Sequence, residues 1–363
     1  VAIVCSWLNQ YGGAERVLQV LHDMYPEAPI HTSIFWPEAL PPSCRDWDVR
    51  PSCLNHLSLT RRHHQWFLPW YPYAFEQFDF SAYDVVLSVT SGFAHGVITG
   101  PETLHICYCL TPARFLWDYH AYVEREQINR LARLALPLVV RNLRLWDRLA
   151  AERVDHFVAI SRTVQQRIRK YYRREAELIH PPVEVERFSL SQERGDYFLI
   201  VSRLVPYKRI DLAVQAFNQL GLPLWIIGDG RDRGALEGMA SSNVRFIGHV
   251  PDEELEPYLG GCRAFVFPGE EDFGIAPVEA QAAGRPVIAY AAGGALDTVT
   301  EGTTGVFFRE ATPASLMEAV ARFAELDFDT AVIREHAWQF TQTAFRQKLA
   351  DFVDRRYAEL RDR

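Results

Sequence analysis

The stretch Pro268-Gly269-Glu270-Glu271-Asp272-Phe273-Gly274-Ile275-Ala276-Pro277-Val278-Glu279-Ala280-Gln281-Ala282-Ala283-Gly284 decides how the chain is read. The apolar run from Ala264 to Phe267 leads into it and reads as a buried strand. Ala276 to Ala283 reads as a helix, with Pro277 in the first turn, where proline is tolerated. Glu271 in the loop and Glu279 in the first turn then put two carboxylates around a helix start, at the carboxyl end of a strand. Open α/β sheets bind ligands at that place. Taken alone, the spacing also fits an acidic surface loop with a glutamate stabilising a helix N-terminus.

Outward from this stretch, apolar strands alternate with helices, which implies parallel sheets covered on both faces. Tyr197 to Ser202 is a strand followed by Arg203 and Lys208. Two fixed cations near a helix start can hold a diphosphate and neutralise a leaving group, though the pair alone also fits ordinary surface charge. Pro223 to Ile227 ends in Gly228-Asp229-Gly230, and Val244 to Ile247 ends in Gly248-His249-Val250-Pro251-Asp252. In the first half, Val1 to Cys5 runs into Gly12-Gly13 and a helix to Met24. Glycines there free backbone amides for an anion, or simply make a strand–helix turn. Ile30 to Phe35, Asp84 to Val89, Leu104 to Cys109 and Asp155 to Ile160 are further strands, and Ser161 is a good cap for a helix at 163–171. The polar stretch from Ser189 to Asp196 reads as a linker. The expected division is residues 1–190, 191–335 and a helical tail at 336–363.

The chain has 363 residues, enough for two ordinary domains, and its 48% hydrophobic content marks it as globular rather than disordered. No apolar run is long enough to cross a bilayer, and no signal peptide is read at the start. Residues 1–190 carry 20 basic and 20 acidic side chains, so the net charge of −8 lies entirely in the remainder. That asymmetry supports two domains and argues against nucleic acid as a partner. The six cysteines form no zinc pattern, and Cys107 and Cys109 share a strand face too far apart for a disulfide. Reduced, mostly buried thiols in a cytoplasmic protein are expected. Asp46-Trp47-Asp48 and Asp327-Phe328-Asp329 match a metal-binding D-x-D pattern only by chance, so no metal site is expected.

Two segments suit a membrane surface. Residues 61–73 are basic and then strongly aromatic, and residues 123–153 form a long helical region with seven arginines against four acids, which Pro137 kinks or splits. A packed loop and a solvated helix face are the ordinary alternatives.

Arg203 with Lys208, then Gly248-His249-Val250, then Glu271-Asp-Phe-Gly-Ile-Ala-Pro-Val-Glu279, preceded by Gly12-Gly13-Ala14-Glu15-Arg16, resembles the retaining GT-B glycosyltransferases of family 4. Ile106 to Trp117 and Val205 to Asp211 look most like the mannosyltransferase-like branch that builds bacterial surface polysaccharides. The resemblance implies an α/β fold of two Rossmann-like domains, with parallel sheets facing a central cleft and a last helix crossing back to the first domain. It implies that Arg203 and Lys208 bind the donor diphosphate, that Glu271 holds the sugar and Glu279 the ribose. Backbone amides of Phe273, Gly274 and Ile275 would assist. Gly228 would end a strand on the same rim, His249 and Val250 would line the base, and Asp252 would accept from guanine. Gly12 and Gly13 would approach the phosphates. The co-substrate would be a nucleotide sugar, GDP-mannose or a UDP-sugar, with no cofactor and no metal. The acceptor would be a lipid-linked sugar or an oligosaccharide, and the enzyme would work in the cytoplasm or at the inner membrane face. Many relatives carry a histidine where this chain has Leu110, so His95, Arg114, Asp118 and His120 are the acceptor-side candidates. A catalytically silent nucleotide-sugar binding protein is the other reading of that departure.

Overall fold

A computed structural model describes residues 1–56, 60, 64–119, 132–190 and 195–362. The chain divides into two units. One comprises Val1–His180 with Phe345–Arg363, the other Pro181–Ala344.

The first unit is built on a seven-stranded parallel sheet. Its strands are β1 (Ala2–Cys5), β2 (Ile30–Thr32), β3 (Val49–Pro51), β4 (Val85–Thr90), β5 (Leu104–Cys109), β6 (His156–Ala159) and β7 (Ala176–Leu178). Their order is β3-β2-β1-β4-β5-β6-β7, so the order reverses between β1 and β4. β1, β4 and β5 are buried along their whole length, because helices cover both faces of a parallel sheet. On one face Ala2, Val4 and Val86 pack under Tyr71, Phe75, Phe93, Val140 and Leu143. The helix Arg162–Tyr171 starts as expected, with the Ser161 hydroxyl accepting from the Val164 amide at 3.2 Å.

The second unit holds β8 (Phe198–Val201), β9 (Leu224–Ile227), β10 (Val244–Gly248), β11 (Ala264–Phe267), β12 (Val287–Tyr290) and β13 (Gly305–Phe308). Their order, β10-β9-β8-β11-β12-β13, is that of a Rossmann sheet, and all pairs are parallel. Phe198, Ile226, Val266 and Ile288 share one core with Phe217 and Leu316, and burying each such side chain contributes about 1.5–3 kcal/mol.

Three expectations change. The boundary at residue 190 moves to His180–Pro181. The His180 ring bonds the Ile160 carbonyl of the first unit, while Val183 already bridges to Thr341 and Ser189 donates to Glu256 in the second. The tail rejoins the first unit at Phe345 rather than at residue 336, where Phe345 packs edge-on to Tyr108 and Arg346 pairs with Asp23 at 2.9 Å. Third, of the kink or split expected at Pro137 the split does not occur, because the helix Ala132–Ala150 runs through it. Residues 123–131 of the expected basic helix and residues 61–63 of the aromatic stretch lie outside the described residues.

All six cysteines are free thiols, five of them buried and Cys53 exposed. Among the described residues no helix is long and apolar enough to cross a membrane.

Candidate functional site

In the second unit the strand order reverses between β8 and β11, and the charged residues of the site converge on that point. β8 runs into a 3-10 turn, Pro206–Lys208, and then the helix Ile210–Leu220. β11 runs into the loop from Pro268 to Gly274 and then the helix Ile275–Ala282. The ammonium of Lys208 forms an ion pair with a carboxylate oxygen of Glu271 across these two loops. Both side chains are mostly shielded from solvent, so the pair is screened less than a surface one.

The close approach has a backbone cause. A Cβ on Gly269 would lie 2.7 Å from the Lys208 carbonyl oxygen, so only glycine lets the two loops touch. A second pair of glycines fixes the other side. The Gly294 amide donates to the Glu271 carbonyl at 2.8 Å, and a Cβ on Gly293 would stand 2.1 Å from that same oxygen. The turn after β12 therefore clamps the Glu271 loop from behind.

Tyr207 sits between the cations. Its hydroxyl accepts from Arg203 at 3.0 Å, and its ring lies 5.4 Å from the Lys208 ammonium. That distance suits a cation–π contact. Arg203 itself is exposed.

Glu279 is buried one full turn into its helix, not in the first turn as expected. Its carboxylate meets the guanidinium of Arg187 at 3.5 Å, from the short turn Val185–Arg187. Arg187 also reaches Glu184 at 3.3 Å and stacks on Phe188, with 4.6 Å to the ring centre. Phe273 is buried and meets Phe340 edge-on at 5.5 Å. Gly274, at φ +90°, precedes Ile275, the first helical residue.

The remaining donor-side candidates of the second unit follow β9 and β10. Gly228 ends β9 and donates to the Gly248 carbonyl at 2.8 Å, and Leu204 donates to Asp229 at 2.9 Å. The ends of β8, β9 and β10 are thus tied by backbone bonds. His249 is exposed, Val250 is buried, and Asp252, half-buried, opens the otherwise exposed turn Asp252–Glu254. The Gly230 amide, chiefly, holds the Asp229 carboxyl below its ordinary range, and Arg233 adds to the effect. Among the described residues no three His, Cys, Asp or Glu side chains are grouped to hold a metal. Both D-x-D matches have structural partners. Asp48 pairs with Arg50 at 2.7 Å, and Asp329 caps the helix Thr330–Ala337.

The switch point of the first unit is different. Gly12 precedes the helix Gly13–Met24 and accepts from the Arg16 amide. A small cavity beside it is lined by Cys5, Ser6, Glu15, Ser91 and Leu110, among others. Burial pushes the Cys5 thiol up to about 12.

Of the acceptor-side candidates, Arg114 opens the short helix Arg114–Trp117 and is half-buried. Asp118 follows it, exposed, with its amide on the Arg114 carbonyl at 2.8 Å. His95 is corrected: it is wholly buried, 3.3 Å from the carboxylate of an equally buried Asp147. Trp117 donates to that carboxylate at 2.7 Å, so His95 belongs to a core network and not to an acceptor surface. His120 lies outside the described residues.

Tyr207, Arg187, Gly269 and the Gly293-Gly294 pair escaped the sequence reading. Only the last two carried a signal, glycines just past an apolar strand on the rim that holds Glu271.

Comparison with known proteins agrees with this layout. The family Glycosyltransferase Family 4 matches residues 11–187, and Glycosyl transferases group 1 matches residues 183–343. An uncharacterized glycosyltransferase of Methanocaldococcus jannaschii is 24% identical over 226 residues, covering 60% of this chain and 64% of its own length. A GDP-mannose-dependent alpha-mannosyltransferase of Corynebacterium glutamicum is 30% identical over 162 residues, covering 42% of this chain and 39% of its own. The chain thus spans less than two thirds of either relative. The crystal structure of Anabaena Alr3699/HepE with UDP superposes with a TM-score of 0.70 at 16% identity, covering 98% of this chain and all of that one. Between them the two family matches run from residue 11 to residue 343, so the chain carries a Glycosyltransferase Family 4 domain followed by a glycosyl transferases group 1 domain, and its fold is that of the GT-B glycosyltransferases.

Proposed function

We propose that the protein is a retaining glycosyltransferase that moves mannose from GDP-mannose to a lipid-linked or oligosaccharide acceptor in surface polysaccharide synthesis, at the inner face of the cytoplasmic membrane. The observation that carries the reading is the Lys208–Glu271 ion pair at the β8/β11 switch point, with Arg203 beside it through Tyr207. A cation already paired with a carboxylate can turn to a diphosphate when the donor enters, and the carboxylate is then released to a sugar hydroxyl. Arg203 and Lys208 hold the diphosphate in this reading, Glu271 the sugar and Glu279 the ribose.

In the transfer, the acceptor oxygen bonds to the anomeric carbon while the bond from that carbon to the diphosphate oxygen breaks. The acceptor proton passes to the departing phosphate oxygen. Both events take place on one face of the sugar, so its configuration is retained. Positioning and stabilisation of the leaving diphosphate by Arg203 and Lys208 supply the rate. Metal independence is part of the proposal, and activity that disappears with EDTA would remove it.

Asp252, half-buried at the rim beyond β10, supports guanine, since a carboxylate can accept from its N–H groups. The C. glutamicum relative supports GDP-mannose. The fold neighbour solved with UDP supports a UDP-sugar as the second reading. Calorimetric titration with GDP and with UDP separates them, and tighter UDP binding would sink the guanine assignment. Incubation with each nucleotide sugar and a lipid-linked acceptor, followed by NMR of the product's anomeric proton, tests transfer and retention together. Binding without turnover of any donor would make the protein a silent nucleotide-sugar binder.

A further inference from the structure

The helix Ala132–Ala150 is apolar on two faces, and packing inside the protein explains only one of them. Val140 and Leu143 are buried in the core of the first unit, and Asp147 is buried against His95. On the opposite face Leu138, Leu145 and Leu149 are 69%, 63% and 51% exposed. Their spacing of seven and then four residues sets them in one stripe along the helix. Single exposed leucines are ordinary on soluble proteins, but three along one helix face, interrupted only by Arg141 and Asn142, are a patch that asks for a partner.

The charge left over beside the row is basic. Arg141 stands exposed between the leucines. Of the helix's acids and the one just beyond it, Asp147 points into the core and Glu152 is taken by Arg148 at 2.9 Å. No acid on this helix therefore offsets Arg141. A neighbouring element adds wet–apolar side chains. Trp66 and Trp70, 70% and 60% exposed, precede the helix Tyr71–Glu76. That helix is tied to the leucine helix by the Trp146 indole donating to Glu76 at 2.8 Å, and both pack on the same core. Leucines flanked by an arginine and accompanied by exposed tryptophans match an interfacial surface, in which apolar side chains enter the acyl boundary while cations meet lipid headgroups.

We propose that this face of the first unit docks on an anionic lipid bilayer, with Leu138, Leu145 and Leu149 inserted at the headgroup boundary and Arg141 at the phosphates. The inference goes beyond the donor-site reading and does not depend on it, because docking is read without turnover.

Flotation of the full chain with vesicles tests it. Phosphatidylcholine vesicles and phosphatidylcholine vesicles doped with phosphatidylglycerol are compared at low and high salt. The parent is expected to float with the anionic vesicles and to stay behind with the neutral ones, and Arg141→Glu to lower binding roughly fivefold, most strongly at low salt. The triple variant Leu138→Gln, Leu145→Gln, Leu149→Gln is expected to keep the parent's melting temperature, since the side chains are exposed, and to lose flotation. A triple variant that melts like the parent and still floats would overturn the proposal. So would a parent that ignores both vesicle types. If that parent is a dimer in solution and the triple variant a monomer, the face is an interface between copies of the chain and not a lipid surface. Should the triple variant melt early, Arg141→Glu and the salt series decide alone, with unchanged flotation in both counting against docking.

Discussion

In the first unit the strand order reverses between β1 and β4; in the second it reverses between β8 and β11. The two sheets share a strand order, so backbone topology presents the same crevice twice. What fills each crevice differs. At β8/β11 a lysine and a glutamate pair, an arginine stands near, and glycines let the loops touch. At β1/β4 the lining is mostly apolar, with Trp7, Leu8, Leu18 and Leu110 beside Cys5 and Ser6, and holds one buried acid, Glu15. Topology supplies a place to bind, and side chains decide what is bound. Four measurements can break or sharpen that contrast.

The largest effect is expected from Gly293→Val. A Cβ there would stand 2.1 Å from the Glu271 carbonyl oxygen, at a φ of +63° that a β-branched residue resists. The Glu271 loop has to move, and turnover is expected to fall at least about a hundredfold, roughly 2.7 kcal/mol. Thermal unfolding of the variant separates a displaced loop from a lost fold. Parent-like turnover would mean that the clamp behind Glu271 has no part in the second unit's site.

Acid is expected to act on the units unequally. Burial pushes His31 down to about 4 and His105 down to about 3, with Arg50 and His95 adding to the effect respectively. Both are in the first unit, as is His156, also lowered by burial; in the second unit His336 is lowered in the same way. A histidine depressed in the folded state contributes stability above pH 6.5, which is lost as pH falls toward the folded value. At pH 5, His31 and His105 should each cost the first unit about 2 kcal/mol. Asp147, raised by burial, works in the opposite sense and offsets part of this loss. Hydrogen exchange at pH 7 and pH 5, corrected for intrinsic rates, should show protection falling first in β1, β2 and β5. Equal loss in both units would remove the asymmetry.

Lys208→Ala and Glu271→Ala are each expected to lower turnover at least about tenfold, about 1.4 kcal/mol. Because the two side chains contact each other, the double variant should lose less than the sum. Strict additivity would mean that the pair does not act as a unit. Unchanged rates in both single variants would refute the site.

These residues were legible because they stand where periodicity changes. An apolar run gives way to glycine and charge, then to a helix, so Arg203, Lys208 and Glu271 could be placed at strand ends from spacing alone. β5 was legible to the residue, as six buried positions between turn signals. Three edge strands were not. β3 and β7 have three residues each, one of β3's being Pro51, and β13 has four. Arg187 was illegible as the partner of Glu279, because 92 residues separate them and only tertiary packing joins them. His95 was misread for a related reason. A histidine beside Gly96 looks like a loop residue until Asp147, on a distant helix, is seen to bury it. The linker was misplaced because polarity marked Ser189 to Asp196, whereas contacts divide the chain at His180–Pro181.

The smallest effect is expected at Leu110 in the first unit. Leu110, half-buried after β5, is the position where the sequence resemblance leads to the expectation of a histidine. It lines the β1/β4 cavity with Ser6 and Glu15, and its amide is already bonded to the Thr90 carbonyl at 2.8 Å. Leu110→His keeps that backbone bond and exchanges apolar contact for a ring that the hydroxyls and carboxylate of the cavity can satisfy. Stability is therefore expected to shift by less than about 1 kcal/mol. With the donor held in the second unit by Arg203, Lys208 and Glu271, as proposed, affinity for the nucleoside diphosphate should stay within about twofold by calorimetry. Unchanged turnover as well would mean that charge placed at β8/β11 suffices for this chain. A rise in turnover of tenfold or more, about 1.4 kcal/mol, would instead show that the first unit's switch point is a catalytic position left apolar. The contrast between the two crevices would then rest on a single side chain in the first unit.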